Sequence, residues 1–145
     1  MKTILAVKNP GRKGKSSTIL ELANLMQTFP GCEIIFSSKT TISLTIDFRL
    51  IIKIKDKIIA FESQGDPGTH LEARLENIVK QYSPDIIFCT CRTRGETVAA
   101  ISNIAHSYTY DIIWTSTYEA THSHNIANRL KAEHLQDLVV KLGLI

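Results

Sequence analysis

The apolar positions of this chain follow two rhythms. Short unbroken runs at residues 4–7, 86–89 and 112–114 carry no polar alternation. The runs 4–7 and 86–89 are expected to be strands buried in a parallel sheet, and 112–114 a further strand. Longer stretches place apolar residues three and four apart, the spacing of one face of a helix. Residues 16–28 do so with Ile19, Leu20, Leu22, Ala23, Leu25 and Met26, and 70–82 with Leu71, Leu75, Ile78 and Val79. Residues 95–105 follow suit with Val98, Ala99, Ile101 and Ala105, and 125–142 form a last, long helix.

Between the first two helices the chain is dense in β-branched residues, which predicts strands over 33–37, 42–46, 48–55 and 57–61. Ile52-Lys53-Ile54-Lys55 alternates with period two, and Lys55-Asp56-Lys57 supplies a tight turn. Phe29-Pro30-Gly31, Asp66-Pro67-Gly68 and Ser83-Pro84-Asp85 punctuate the elements. Thr69, three residues before Glu72, predicts a capping box at the second helix. Strands alternating with helices toward both ends predict an α/β fold. Its sheet is mostly parallel, joined by right-handed crossovers, with an added antiparallel hairpin from the middle cluster. No repeat or linker interrupts residues 1–145, so one domain is expected, and its 43% hydrophobic content suffices for one core.

Charge changes this picture only locally. A net charge of +3 does not imply nucleic acid, but Lys8, Arg12, Lys13 and Lys15 cluster early, where a phosphate partner explains them. Three cysteines without framework spacing predict a reducing compartment. The apolar run 4–7 is too short for a signal core, and no run approaches the ~20 residues of a membrane span, so the cytoplasm is expected and no membrane association.

The candidate chemistry begins after the first strand. Asn9-Pro10-Gly11-Arg12-Lys13-Gly14-Lys15-Ser16 leads from an apolar strand into an amphipathic helix. It resembles the Walker A motif of P-loop NTPases, G-x-x-x-x-G-K-[ST]. Gly14-Lys15-Ser16 matches its second half; Asn9 stands at the first glycine position, and Gly11 supplies a glycine two places later. Asparagine tolerates the left-handed backbone better than other non-glycine residues. The resemblance implies a three-layer P-loop NTPase-like sandwich and a Mg2+-nucleotide ligand. Nucleotide contacts would come from Asn9, Gly11, Arg12, Lys13, Gly14, Lys15, Ser16 and Ser17. Successive backbone N–H groups would cradle the phosphates, Lys15 would reach the β and γ phosphates, and the Ser16 hydroxyl would bind Mg2+.

A second stretch, Glu62-Ser63-Gln64-Gly65-Asp66, follows the apolar run 58–61. It resembles the Walker B arrangement and the D-x-x-G switch of Ras-like GTPases, with Glu in place of Asp. The resemblance implies that Glu62 holds Mg2+, that the Gly65 N–H senses the γ-phosphate, and that Asp66, with Gln64 close by, positions the attacking water. Arg92 and Arg94, after the run 86–89, would contact phosphate and neutralise transition-state charge. Thr115-Ser116-Thr117 joins the same edge. Thr40 and Thr41 stand where a switch threonine could bind Mg2+. No N-K-x-D sequence is present, so ATP is favoured over GTP.

Cys89 and Cys91 share one strand face and belong to the core. His122, His124 and His134 lack a carboxylate cluster, and Trp114 is expected in the core. The leading expectation is a Mg2+-dependent ATPase, using Lys15, Asp66, Arg92 and Arg94. The alternatives are a nucleotide-binding regulatory or partner-binding module with little turnover, and a small P-loop kinase. A homodimer or protein partner would use the exposed hairpin 43–57 as an edge.

Overall fold

The computed structural model describes residues 2–9, 15–39 and 47–145, with the backbone alone at 15–17. The elements run β1 (Thr3–Lys8), α1 (Lys15–Met26), β2 (Glu33–Ser37), β3 (Arg49–Ile54), β4 (Lys57–Glu62), α2 (Leu71–Tyr82), β5 (Ile86–Cys91), α3 (Glu96–Tyr108), β6 (Asp111–Ser116) and α4 (His124–Lys141). The strand expected over 42–46 lies outside the described residues.

One sheet has the order β2-β3-β4-β5-β1-β6. β4, β5, β1 and β6 are parallel, while β3 runs against both β4 and β2. The architecture is therefore α/β with a mixed, mostly parallel sheet. The unbroken apolar runs 4–7 and 86–89 have the expected cause, while 112–114 lies on the half-exposed strand β6. β1 and β5 are central and covered on both faces, so successive side chains enter two different cores. Leu5, Val7, Ile59, Phe61, Ile86 and Phe88 pack toward α1 and α4, and Phe61 stacks on Phe88 at 5.1 Å. Ile4, Ala6, Ala60, Ile87, Cys89 and Cys91 pack toward α2 and α3.

The predicted turn forms at Lys55 (φ 49°) and Asp56 (φ 67°), both left-handed, joining Ile54 to its partner Lys57. Two such residues make the mirror-image turn whose twist suits a hairpin.

Three expectations are corrected. Thr69 does not cap α2: the N-cap is His70, itself left-handed with φ 59°, and the Thr69 hydroxyl donates to the Asp66 carbonyl at 2.6 Å. The side chain is drawn back into the preceding turn, and Glu72 accepts from Asn103 instead. The hairpin is not an edge: β3 lies between β2 and β4, and among the described residues the edges are β2 and β6. Trp114 is 36% exposed because β6 is an edge strand; the Lys8 ammonium lies 4.5 Å from its ring centre.

Tyr110, just before β6, is buried, and its hydroxyl donates to the Pro84 carbonyl at 2.6 Å. Burial, and then the nearby Asp85 charge, push its pKa up to about 12. The folded protein thus keeps a proton that the unfolded chain releases near pH 10. Stability from this group is complete below pH 10 and is lost as pH rises toward 12. Tyr110→Phe should cost about 1 kcal/mol at neutral pH. The difference from wild type should shrink between pH 10 and 12, which urea titrations across that range would measure. A constant difference would contradict the shift.

Among the described residues, no helix is long and apolar enough to cross a membrane.

Candidate functional site

Because β1, β4, β5 and β6 are parallel, their C-terminal ends open on one edge of the sheet, as the sequence pattern anticipates. The chain leaves β1 for α1 on one face, and leaves β5 for α3 on the other. Neighbouring strands whose following helices diverge leave a crevice between them, the usual ligand position in open α/β sheets. Here that crevice lies between β1 and β5.

Its walls are tied together by side chains. Asn9 is 1% exposed; its N–H donates to the Cys91 carbonyl at 3.0 Å and its Nδ2 to Thr117 Oγ1 at 2.6 Å. The exits of β1, β5 and β6 are thereby joined, with the Asn9 side chain spent on the scaffold. The Thr90 hydroxyl donates to the Ser63 carbonyl at 2.8 Å, drawing the loop after β4 across the end of β5. Gly65 permits that approach: a Cβ there would lie 2.0 Å from the Thr90 carbonyl oxygen. Beyond it, the Asp66 carboxylate meets the Arg92 guanidinium at 3.3 Å, and the Gly68 N–H donates to Glu96 Oε1 at 2.6 Å. The Arg92 N–H donates to Thr97 Oγ1 at 2.9 Å, which closes the turn into α3. Arg94 in that turn is exposed.

Glu62 departs from its expected role. The side chain is 5% exposed and points toward the α2 side, away from α1. Its Oε2 takes Arg49 Nη2 at 2.7 Å and faces Arg74 Nη1 at 3.2 Å. Arg74 also donates to the Thr69 and Gln64 carbonyls at 2.8 and 3.0 Å. One carboxylate between two guanidiniums leaves a net positive charge, which repels a further cation. β5 also separates β4 from β1, about 10 Å at two strand spacings. Glu62 is accordingly the anchor of the 63–69 loop, and this arrangement does not offer it to Mg2+.

On the α1 and α4 face, beyond β6, Lys131 Nζ donates to Thr115 Oγ1 at 2.7 Å and lies 4.7 Å from the centre of the Tyr118 ring. Tyr118 in turn hydrogen-bonds His134 Nδ1 at 2.6 Å. Burial lowers the Lys131 pKa. Burial foremost, and then the neighbouring Cys91, raises that of Cys89 well above the ordinary thiol range, so it is no ready nucleophile. Among the described residues no cluster of His, Cys, Asp or Glu could hold a metal.

The structure thus gathers Asn9, Gly65, Asp66 and Arg92 at one edge. Lys15 and Ser16 open α1 at the same edge, their side chains outside the description. Gly11, Arg12, Lys13 and Gly14, with Thr40 and Thr41, lie outside the described residues, as does the side chain of Ser17. Sequence reasoning missed Arg49, Arg74, Thr90 and Lys131. Two of them carried a signal: Thr90 interrupts an apolar strand, and Lys131 sits on the buried stripe of α4 with Asn128, Leu135 and Val139. No family model, curated protein or solved structure matches this chain.

Proposed function

We propose that the chain is a P-loop-type domain that binds a nucleoside triphosphate, ATP before GTP, with Mg2+. The observation that carries this reading is the placement of α1. It begins at Lys15, the lysine of Gly14-Lys15-Ser16, and follows a central parallel strand at the edge where the crevice opens. Strand, glycine-containing basic segment and helix start in that order are the context the motif requires. The backbone N–H groups at a helix start also favour phosphate.

In this reading Lys15 holds the β and γ phosphates. Ser16 would bind Mg2+, which would supply charge neutralisation. Arg92 exchanges Asp66 for a phosphate oxygen, and the released Asp66 accepts a proton from the attacking water. Arg94 lies on the same turn, free to approach from outside. A reading with little turnover draws support from the same pair, because Asp66 and Arg92 occupy one another in this structure. Absence of hydrolysis with retained binding would select it.

The test is titration of wild type and Lys15→Ala with ATP and GTP in the presence of Mg2+, followed through Trp114, the one tryptophan of the chain. Loss of a charge-assisted phosphate contact should weaken ATP about 10- to 100-fold. Equal binding by the variant, or none by wild type, would refute the nucleotide reading.

A further inference from the structure

Lys131 is 8% exposed, yet among the described residues no carboxylate pairs with it. Residues 10–14 and 40–46 contain no acidic side chain either. One of its three N–H donors goes to the Thr115 hydroxyl, a neutral acceptor, and the Tyr118 ring covers another side. A cation–π contact offsets part of a buried ammonium's desolvation, but not all of it. Buried charges are ordinarily paired, and this one is not.

Its position suggests the missing partner. Thr115 is level with Val7, near the end of β1, and Lys131 lies on the face of the sheet that carries α1. Asn128, one turn earlier on α4, accepts from the Thr18 hydroxyl in the first turn of α1 at 3.2 Å. The ammonium is therefore held by the scaffold at the end of β6, one helical turn from the Asn128 contact with the first turn of α1. Tyr118, 42% exposed, connects it to solvent.

We propose that Lys131 is a second cationic contact of the edge site and takes a phosphate oxygen of the bound ligand. The nature of the ligand rests on the nucleotide reading; the need for an anion rests on Lys131 itself. Thr115 and Tyr118 fix the direction of the ammonium, and His134 fixes Tyr118. No part of this device depends on the 10–14 segment.

The experiment is thermal unfolding of wild type, Lys131→Met and Lys15→Ala over a titration of inorganic pyrophosphate at constant ionic strength. Methionine keeps the length of the stem and removes the charge. Without ligand, the midpoint of Lys131→Met should equal or exceed that of wild type by a few degrees, because an uncompensated buried charge is gone. A purely structural lysine would give the opposite sign. With pyrophosphate, the midpoint of wild type should rise and that of Lys131→Met should not. A response of Lys131→Met equal to that of wild type, or no response in wild type, would overturn the proposal. Lys15→Ala separates the two readings. If it keeps the response while Lys131→Met loses it, the anion site stands and the phosphate-loop reading fails. If Lys15→Ala loses the response and Lys131→Met keeps it, the reverse holds. Loss in both supports one site with two lysines. Should Lys131→Met fold poorly, Thr115→Val removes the hydroxyl seat alone, and its pyrophosphate response should be weakened.

Discussion

Gly65→Ala is expected to destabilise the protein by more than about 3 kcal/mol, the range of severe overpacking. The added methyl would lie 2.0 Å from the Thr90 carbonyl oxygen, 2.3 Å from its carbon and 2.4 Å from Oγ1. Two of these atoms belong to the backbone of a central strand, which cannot yield. The loop must lift instead, breaking the Thr90–Ser63 hydrogen bond and separating Asp66 from Arg92. Gly65 has no positive φ, so the penalty is steric and not conformational. Gly68→Ala is the matched control. There φ is +76° but the space is open, and the cost should be about 1–2 kcal/mol from backbone strain alone. Urea unfolding of both variants distinguishes these causes. If Gly65→Ala costs no more than Gly68→Ala, the close packing of the loop on β5 is wrong. The result also bears on function: in a folded Gly65→Ala protein, any phosphate sensing through the Gly65 N–H should be impaired even with Lys15 intact.

Glu62→Ala is expected to cost about 3–5 kcal/mol, the usual price of stranding a buried charge partner. Arg49 and Arg74 are 19% and 22% exposed, and with the carboxylate gone they would face each other without compensation. Arg74 also bonds the Gln64 and Thr69 carbonyls, so its displacement would loosen the loop that carries Gly65 and Asp66. Glu62→Gln keeps the shape and an acceptor but not the charge, and should lose most of the same stability. Both variants should be partly rescued by salt, which screens the repulsion between the remaining guanidiniums. Chemical unfolding at low and high ionic strength measures this. A contrary pattern, normal stability in Glu62→Gln with loss of Mg2+-dependent nucleotide binding, would restore Glu62 to the metal.

The two positions show what kind of information each level carried. Glu62 after an apolar strand, and Gly65 three residues later, were visible in the chain as a chemical motif. Nothing in the local pattern told that Arg49 and Arg74 would converge on that carboxylate. Arg49 stands 13 residues before Glu62 and Arg74 12 after it. Their meeting depends on the pairing of β3 with β4 and on the docking of α2. Likewise, Gly65 was read for its N–H, whereas its missing side chain is what the contact with Thr90 requires.

By itself the sequence determined the alternation of strands and helices, the hairpin turn at Lys55-Asp56, and the common exit of four strands on one edge. Apolar periodicity and turn chemistry are local, and local signals suffice for such features. The tertiary structure alone decided that β5 lies between β1 and β4 and, among the described residues, that β2 and β6 are the sheet edges and that Lys131 is buried beside the exit of β6 without a counter-charge. Strand order and ion pairing join residues far apart in the chain. The energies that select them are those of burial and desolvation, which exist only once the layers have packed.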